Sequence, residues 1–285
     1  MGVLLAITAL LSWGLGDFLI QRSTRRFGDW VALFYITAFG AIILFPFAYP
    51  GLRAAIHNHP LLLLIACLVL LFAALFDFEA MRIGKLSVVE PIFAFEIPVT
   101  AFLAAYFIKE LLTPGQVFFT ATLIAGIFLV SARSPSYLKN IRLEKGTWYA
   151  VLGTIGLGAS SFLFGLGARE TNPLVINWIT DAFIAIVSIL YLALTSRLGG
   201  IWSDFRNNKR LILNVSFFDK LAWVTFSYAT LFIPIAVATG ISEGYIAFAA
   251  GLGLMFNKEK LRLHQWIGLL LAIASVIVLA LTTAG

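Results

Sequence analysis

Charge is scarce in this chain. Only 12% of its 285 residues are Asp, Glu, Lys or Arg, while 61% are hydrophobic. An ordinary soluble domain carries roughly 25% charged residues. A water-soluble globule cannot bury so much apolar surface, so a soluble fold is excluded. Cysteine is scarcer still. Cys67 stands alone, which excludes a disulfide scaffold and a cysteine-rich metal site. No GxxxxGK[ST] segment occurs, which argues against an ATP-driven pump. The three histidines, His57, His59 and His264, lack metal-ligand spacing. No nucleophile triad is evident, and neither an enzyme nor a cofactor is expected. The net charge of +6 could suggest nucleic acid, but the basic residues are scattered over short loops and form no patch or arm.

What is abundant is long apolar runs. A helix needs about 20 apolar residues to cross the hydrocarbon core. Ten runs qualify as candidate spans: 2–20, 30–49, 60–82, 86–107, 116–132, 146–168, 173–196, 209–231, 234–256 and 264–283. They are continuous rather than alternating with period two, which favours a helical bundle over a β-barrel. The first run has no preceding Lys or Arg and carries Asp17 near its end, so it reads as a membrane helix rather than a signal peptide. Sixteen of the twenty Lys and Arg residues follow odd-numbered spans. Arg53, Lys109 and Arg169 follow even-numbered ones, and Lys220 lies inside a span. The positive-inside rule then expects a multi-pass protein of the cell (inner) membrane with both termini outside the cytoplasm.

The chain repeats itself. A shift of 149 residues aligns KELLTPGQ (109–116) with KEKLRLHQ (258–265). Lys109, Glu110, Leu112 and Gln116 recur as Lys258, Glu259, Leu261 and Gln265. The basic segment around 133–145 separates a first five-span repeat, 1–132, from a second, 146–285. An odd span number forces the copies into opposite orientations. The expected fold is therefore an all-α integral membrane protein, ten transmembrane helices as two inverted five-helix repeats. Secondary transporters use this architecture, with the substrate near the midplane beside interrupted helices. Pro91 and Gly240 coincide in the 149-residue frame and are the expected interruptions.

This pattern resembles the EamA-type branch of the drug/metabolite transporter superfamily. The resemblance rests on ten spans, the five-plus-five duplication, Ser12-Trp13-Gly14 in the first span, and the turns Glu110 to Gln116 and Glu259 to Gln265. Asn257 and Ile108 depart from the family's usual Gly-Glu turn. The resemblance implies a transporter and leaves the substrate open, since members move amino acids, sugars, nucleotides, amines and drugs.

Eight acidic residues fall within or at the edges of spans: Asp17, Asp77, Glu79, Glu90, Glu96, Asp181, Asp219 and Glu243. A charged side chain at mid-bilayer costs roughly 2.5–3.5 kcal/mol on insertion scales, so these carboxylates are expected to face the bundle interior, a wet cavity or each other. Trp13 with Asp17, Asn177 with Asp181, and Asp219 with Trp223 are each four apart and share a helix face. Carboxylate plus aromatic suits an ammonium or guanidinium group. Glu96 and Glu243 are the first candidates for substrate or proton binding. Tyr245 coincides with Glu96 in the repeat frame, and Asp77 adds to the field. Lys220 either neutralises a carboxylate, most simply from another helix, or binds a substrate carboxylate; Asp219, its neighbour, is expected about 100° away on the helical wheel. The expected partners are the lipid bilayer, a small cationic or zwitterionic metabolite, and protons. Export is favoured over import. The rival is a lipid-linked flippase or a non-transporting membrane scaffold, for which a basic lateral opening would speak.

Overall fold

A computed structural model of the chain describes residues 1–131, 145–248 and 262–283. The helices are α1 (Gly2–Phe27), α2 (Asp29–Asn58), α3 (Pro60–Ile83), α4 (Leu86–Phe93), α5 (Glu96–Ile108) and α6 (Pro114–Ser131) in the first half. In the second half they are α7 (Thr147–Glu170), α8 (Pro173–Leu194), α9 (Ile201–Ala229), α10 (Ile235–Glu243) and α11 (Leu263–Thr283). Their limits follow local chemistry. Gly28, at φ 84°, turns the chain between α1 and α2, a conformation that costs glycine little. Asn172 caps α8, its side chain accepting from Leu174 N at 2.8 Å, with Pro173 at the first helical position, where a missing N–H does no harm.

Among the described residues, eight helical stretches are long and apolar enough to cross a membrane by length and composition. Two further stretches fall where the eighth and ninth spans are expected. α9 covers 29 residues with a non-helical break at Asn208, and carries Asp204, Arg206, Lys209, Arg210, Asp219 and Lys220. The other is α10 with the short helical stretch 245–248. The linker 133–145, apart from Lys145, lies outside the described residues. So do residues 249–256 of the ninth span and the second copy of the Lys-Glu turn up to Leu261.

The packing has the pattern of a pseudo-two-fold axis. α1 packs on α9 and α7 on α3, while α2 packs on α8 and α6 on α11. Exchanging the halves maps each pairing onto another or onto itself. The 149-residue shift carries Leu86, the start of α4, onto Ile235, the start of α10, and Pro114 onto Leu263. Gln116 Oε1 accepts from Thr113 N at 2.9 Å, and Gln265 Oε1 accepts from Arg262 N at 3.0 Å. The repeated Gln is thus an N-terminal cap in both halves, the role that Glu or Gln takes three residues into a capping box.

The halves are inverted. A Cβ on Gly2, at the start of α1, would meet Phe232 and Ile233 just beyond α9. One on Gly146, at the start of α7, would meet Ala80 and Gly84 at the end of α3. α1 therefore starts at one end of the bundle, here the terminal end, and α7 at the other. At that other, basic end lie Arg22, Arg25 and Arg26 of α1, beside Leu211 of α9, just past the break at Asn208.

The interruptions differ from expectation. Pro91 and Gly240 lie inside α4 and α10, and the breaks come at Ala94–Phe95 and at Gly244. There the backbone tightens to three-residue bonds, Phe95 N to Ile92 O at 3.1 Å and Gly244 N to Ile241 O at 3.2 Å. A helix carries a glycine at a cost of about 1 kcal/mol, so Gly240 by itself need not break one. Phe95 and Gly244 still coincide in the 149-residue frame.

Candidate functional site

The two breaks meet near the middle of the bundle. Glu96 begins α5, and Tyr245 follows Gly244 at the equivalent place. Glu96 gains from the partial positive charge at a helix N-terminus. Glu243, at the last turn of α10, sits where the helix dipole opposes an anion.

Around these breaks lies a cavity of about 80 Å³. One water needs roughly 10–15 Å³, so there is room for several waters or part of a small solute. Trp13, Asp17, Asp77, Glu96, Asp181, Asp219, Lys220, Trp223, Glu243 and Tyr245 all line it. These ten candidate ligands therefore face the same space. Glu79 stands apart, paired with Arg82 at 2.5 Å. Among the described residues no three of His, Cys, Asp or Glu cluster closely enough to hold a metal ion, so the carboxylates are spread around the wall.

Lys220 ties two of them. Its Nζ donates to Asp181 Oδ1 at 2.6 Å and lies 3.1 Å from Asp219 Oδ2. Asp181 belongs to α8, so this contact crosses between helices. The contact with Asp219 departs from the wheel estimate, because a flexible four-carbon stem lets the ammonium swing back to its sequence neighbour. α2 closes over this group at Gly40, where a Cβ would collide with Asp181 Oδ2 and lie 2.5 Å from Lys220 Cδ.

Two further carboxylates are held by hydroxyls, and the two pairs are related by the pseudo-two-fold. Ser161 Oγ donates to Glu96 Oε1 in a short bond. The Tyr245 hydroxyl bonds Asp17. A Cβ on Gly14 would meet Tyr245 and Phe248, and one on Gly158 would meet Glu96 and Val99. Shifting α1 by 144 residues and the later segment by 149 superposes these contacts. Asp17 then falls on Ser161 and Tyr245 on Glu96. The site holds a carboxyl–hydroxyl pair on each side of the axis, with acid and hydroxyl exchanged.

Toward the terminal end the cavity is floored by aromatics. Trp13 meets Trp223 edge-on at 5.3 Å, and Phe164 lies 4.5 Å from Trp223. Ser161 and Gly40 are the participants that sequence reasoning missed. Phe18-Leu19 and Phe162-Leu163, aligned by 144 rather than 149, are the signal that would have found Ser161. Gly40 has none, since its neighbours come from α8 and α9.

Two inverted halves of broken helices around a polar central cavity define a membrane transporter rather than an enzyme. The chain belongs to the EamA-like transporter family, which it matches over residues 1–132 and 144–281. The family boundary falls between the two halves of the fold. A solved crystal structure has the same fold, with a TM-score of 0.72 at 15% identity, over 100% of this chain and 99% of that one. No curated protein matches the sequence.

Proposed function

We propose that this cavity binds a small organic cation or zwitterion, an amino acid or an amine, and carries it across the cell membrane by alternating access. One observation supports this most: six carboxylates, Asp17, Asp77, Glu96, Asp181, Asp219 and Glu243, line the space against one ammonium, Lys220. At an effective dielectric of 20, a unit cation gains about 4 kcal/mol from each carboxylate at 4 Å. Removing an ammonium from water costs several kcal/mol. One carboxylate barely offsets that cost, whereas two or three do. Trp13 and Trp223 add aromatic faces, worth up to about 2 kcal/mol to a desolvated cation.

Lysine has three N–H donors. Two of those of Lys220 point to Asp181 and Asp219, and a zwitterion's carboxylate would take the third. The pairs Glu96–Ser161 and Asp17–Tyr245, each joining a carboxyl of the first half to a hydroxyl of the second, suit exchange of protons for substrate. Export, with both termini outside the cytoplasm, is the direction and orientation that go with this proposal.

The test is counterflow of radiolabelled lysine into proteoliposomes holding wild type, Glu96→Gln or Glu243→Gln. Flux in wild type and less than a tenth of it in either variant is expected. Flux above half of wild type in both would remove these two residues from the mechanism. No lysine flux in folded wild type would eliminate lysine as substrate and turn the search to neutral solutes.

A further inference from the structure

The Lys-Glu turn that marks the repeat has a use that substrate binding does not absorb. Glu110 follows α5 in the first half. Its Oε2 accepts from Arg169 Nη1, at the end of α7, at 2.7 Å. Its Oε1 accepts from the backbone N–H of Ile235, the first residue of α10, at 2.5 Å. Arg169 also donates to the carbonyls of Thr230 at 2.8 Å and Ile233 at 3.2 Å. One carboxylate of the first half thus gathers three segments of the second: the end of α7, the turn after α9 and the start of α10.

Arg169 has a counterpart. Arg25, at the end of α1, donates to the carbonyls of Arg82 at 3.2 Å and Gly84 at 2.6 Å. Arg25 shifted by 144 is Arg169, and Gly84 shifted by 149 is Ile233. Equivalent arginines therefore clamp equivalent turns at opposite ends of the bundle. The cavity is not midway between them. Its lining runs from Trp13 and Trp223 to Ile20 and Met81, toward the Arg25 end. On the Arg169 side it is capped by Phe164, Phe226 and the fully buried stretch Ile235–Ile241.

We propose that the Glu110–Arg169–Ile235 tie is a latch that holds the terminal end shut and releases when that end opens. The proposal rests on the alternating-access reading. Release is feasible because both side chains keep contact with solvent, at 30% and 18% exposure, so each can be rehydrated when the tie breaks. Because Glu110 grips the N-terminus of α10, the latch also fixes the helix that carries Glu243. Glu110 and Arg169 are positioning residues, acting through α10 and not on substrate.

The test uses thiol labelling of the full chain in a Cys67→Ala background and needs no substrate. Ser227→Cys reports on the terminal end, since Ser227 is fully buried one turn before Thr230. Ile20→Cys reports on the cavity at the basic end. In Glu110→Gln and in Arg169→Gln, labelling of Ser227→Cys by a hydrophilic maleimide should rise at least tenfold, while labelling of Ile20→Cys falls. Arg169→Lys, which keeps a cationic donor for Glu110 and the carbonyls, should leave both rates closer to wild type than Arg169→Gln does. Unchanged rates in Glu110→Gln and Arg169→Gln would overturn the latch. A rise at both reporters would also overturn it, as that is loosened packing. If Glu110→Gln is not monodisperse, Arg169→Gln and Arg169→Lys decide alone. Reciprocal labelling in a protein without cation flux would keep the latch and reject the cation assignment.

Discussion

Replacing Lys220 by Met removes one charge and leaves two. Lys220 is 8% exposed, Asp181 1% and Asp219 7%, so the group is largely withdrawn from bulk water and meets only the cavity. Breaking a buried ion pair by deleting one partner costs about 3–5 kcal/mol, because the surviving charge is stranded. Here Asp181 loses a 2.6 Å contact and Asp219 a 3.1 Å one, so Lys220→Met falls at the upper end of that range. Asp181→Asn strands nothing completely, because Lys220 retains Asp219, and it falls at the lower end or beneath it. For a chain of this size 1 kcal/mol corresponds to roughly 2 °C in Tm. Lys220→Met should therefore lower the Tm of the detergent-solubilised protein by about 10 °C, and Asp181→Asn by about 5 °C. The double variant Asp181→Asn with Lys220→Met should be more stable than Lys220→Met alone, because one stranded charge has been removed. The assay is thermal unfolding followed by size-exclusion recovery. A Tm for Lys220→Met within 2 °C of wild type, or a double variant less stable than either single one, would refute the structural role given to this lysine.

Two further outcomes follow from close backbone approaches. Gly40→Ala places a methyl against Asp181 Oδ2 and Lys220 Cδ; it should displace the ion pair and cost about 1–3 kcal/mol as overpacking, read as a lower Tm than wild type. At Gly126 a Cβ would lie 2.7 Å from Ala272 N and 2.8 Å from Gly268 O. Those atoms are backbone and cannot rotate aside, so Gly126→Val should separate α6 from α11 and lower Tm by several degrees, while Gly115→Ala, with only Thr113 Oγ1 at 4.0 Å, should not lower Tm.

Much of this architecture was legible because membrane spans and repeats are local properties. The 149-residue shift, found from a few polar identities, predicts helix starts in the second half at Ile235 and Leu263. The cost of charge in hydrocarbon was enough to turn Asp77, Glu96, Asp181, Asp219 and Glu243 inward before any neighbour was known. What could not be read depends on contacts between distant segments. Gly40 matters because α8 and α9 lie under it. Ser161 matters because α7 follows a 144-residue frame, five short of the one that fits the later helices. The breaks sit at Ala94–Phe95 and Gly244 rather than at Pro91 and Gly240, since backbone tightening answers to packing as well as to residue type. Arg25 and Arg169 look like ordinary loop cations until the carbonyls they meet are known.

The central claim is that the carboxylate-lined cavity selects positive charge. It is tested most directly by competition of lysine counterflow in wild-type proteoliposomes. Arginine and choline should suppress the flux, leucine weakly, and aspartate not at all. Suppression by aspartate equal to that by arginine would contradict the account, because six carboxylates around one occupied lysine cannot favour an anion.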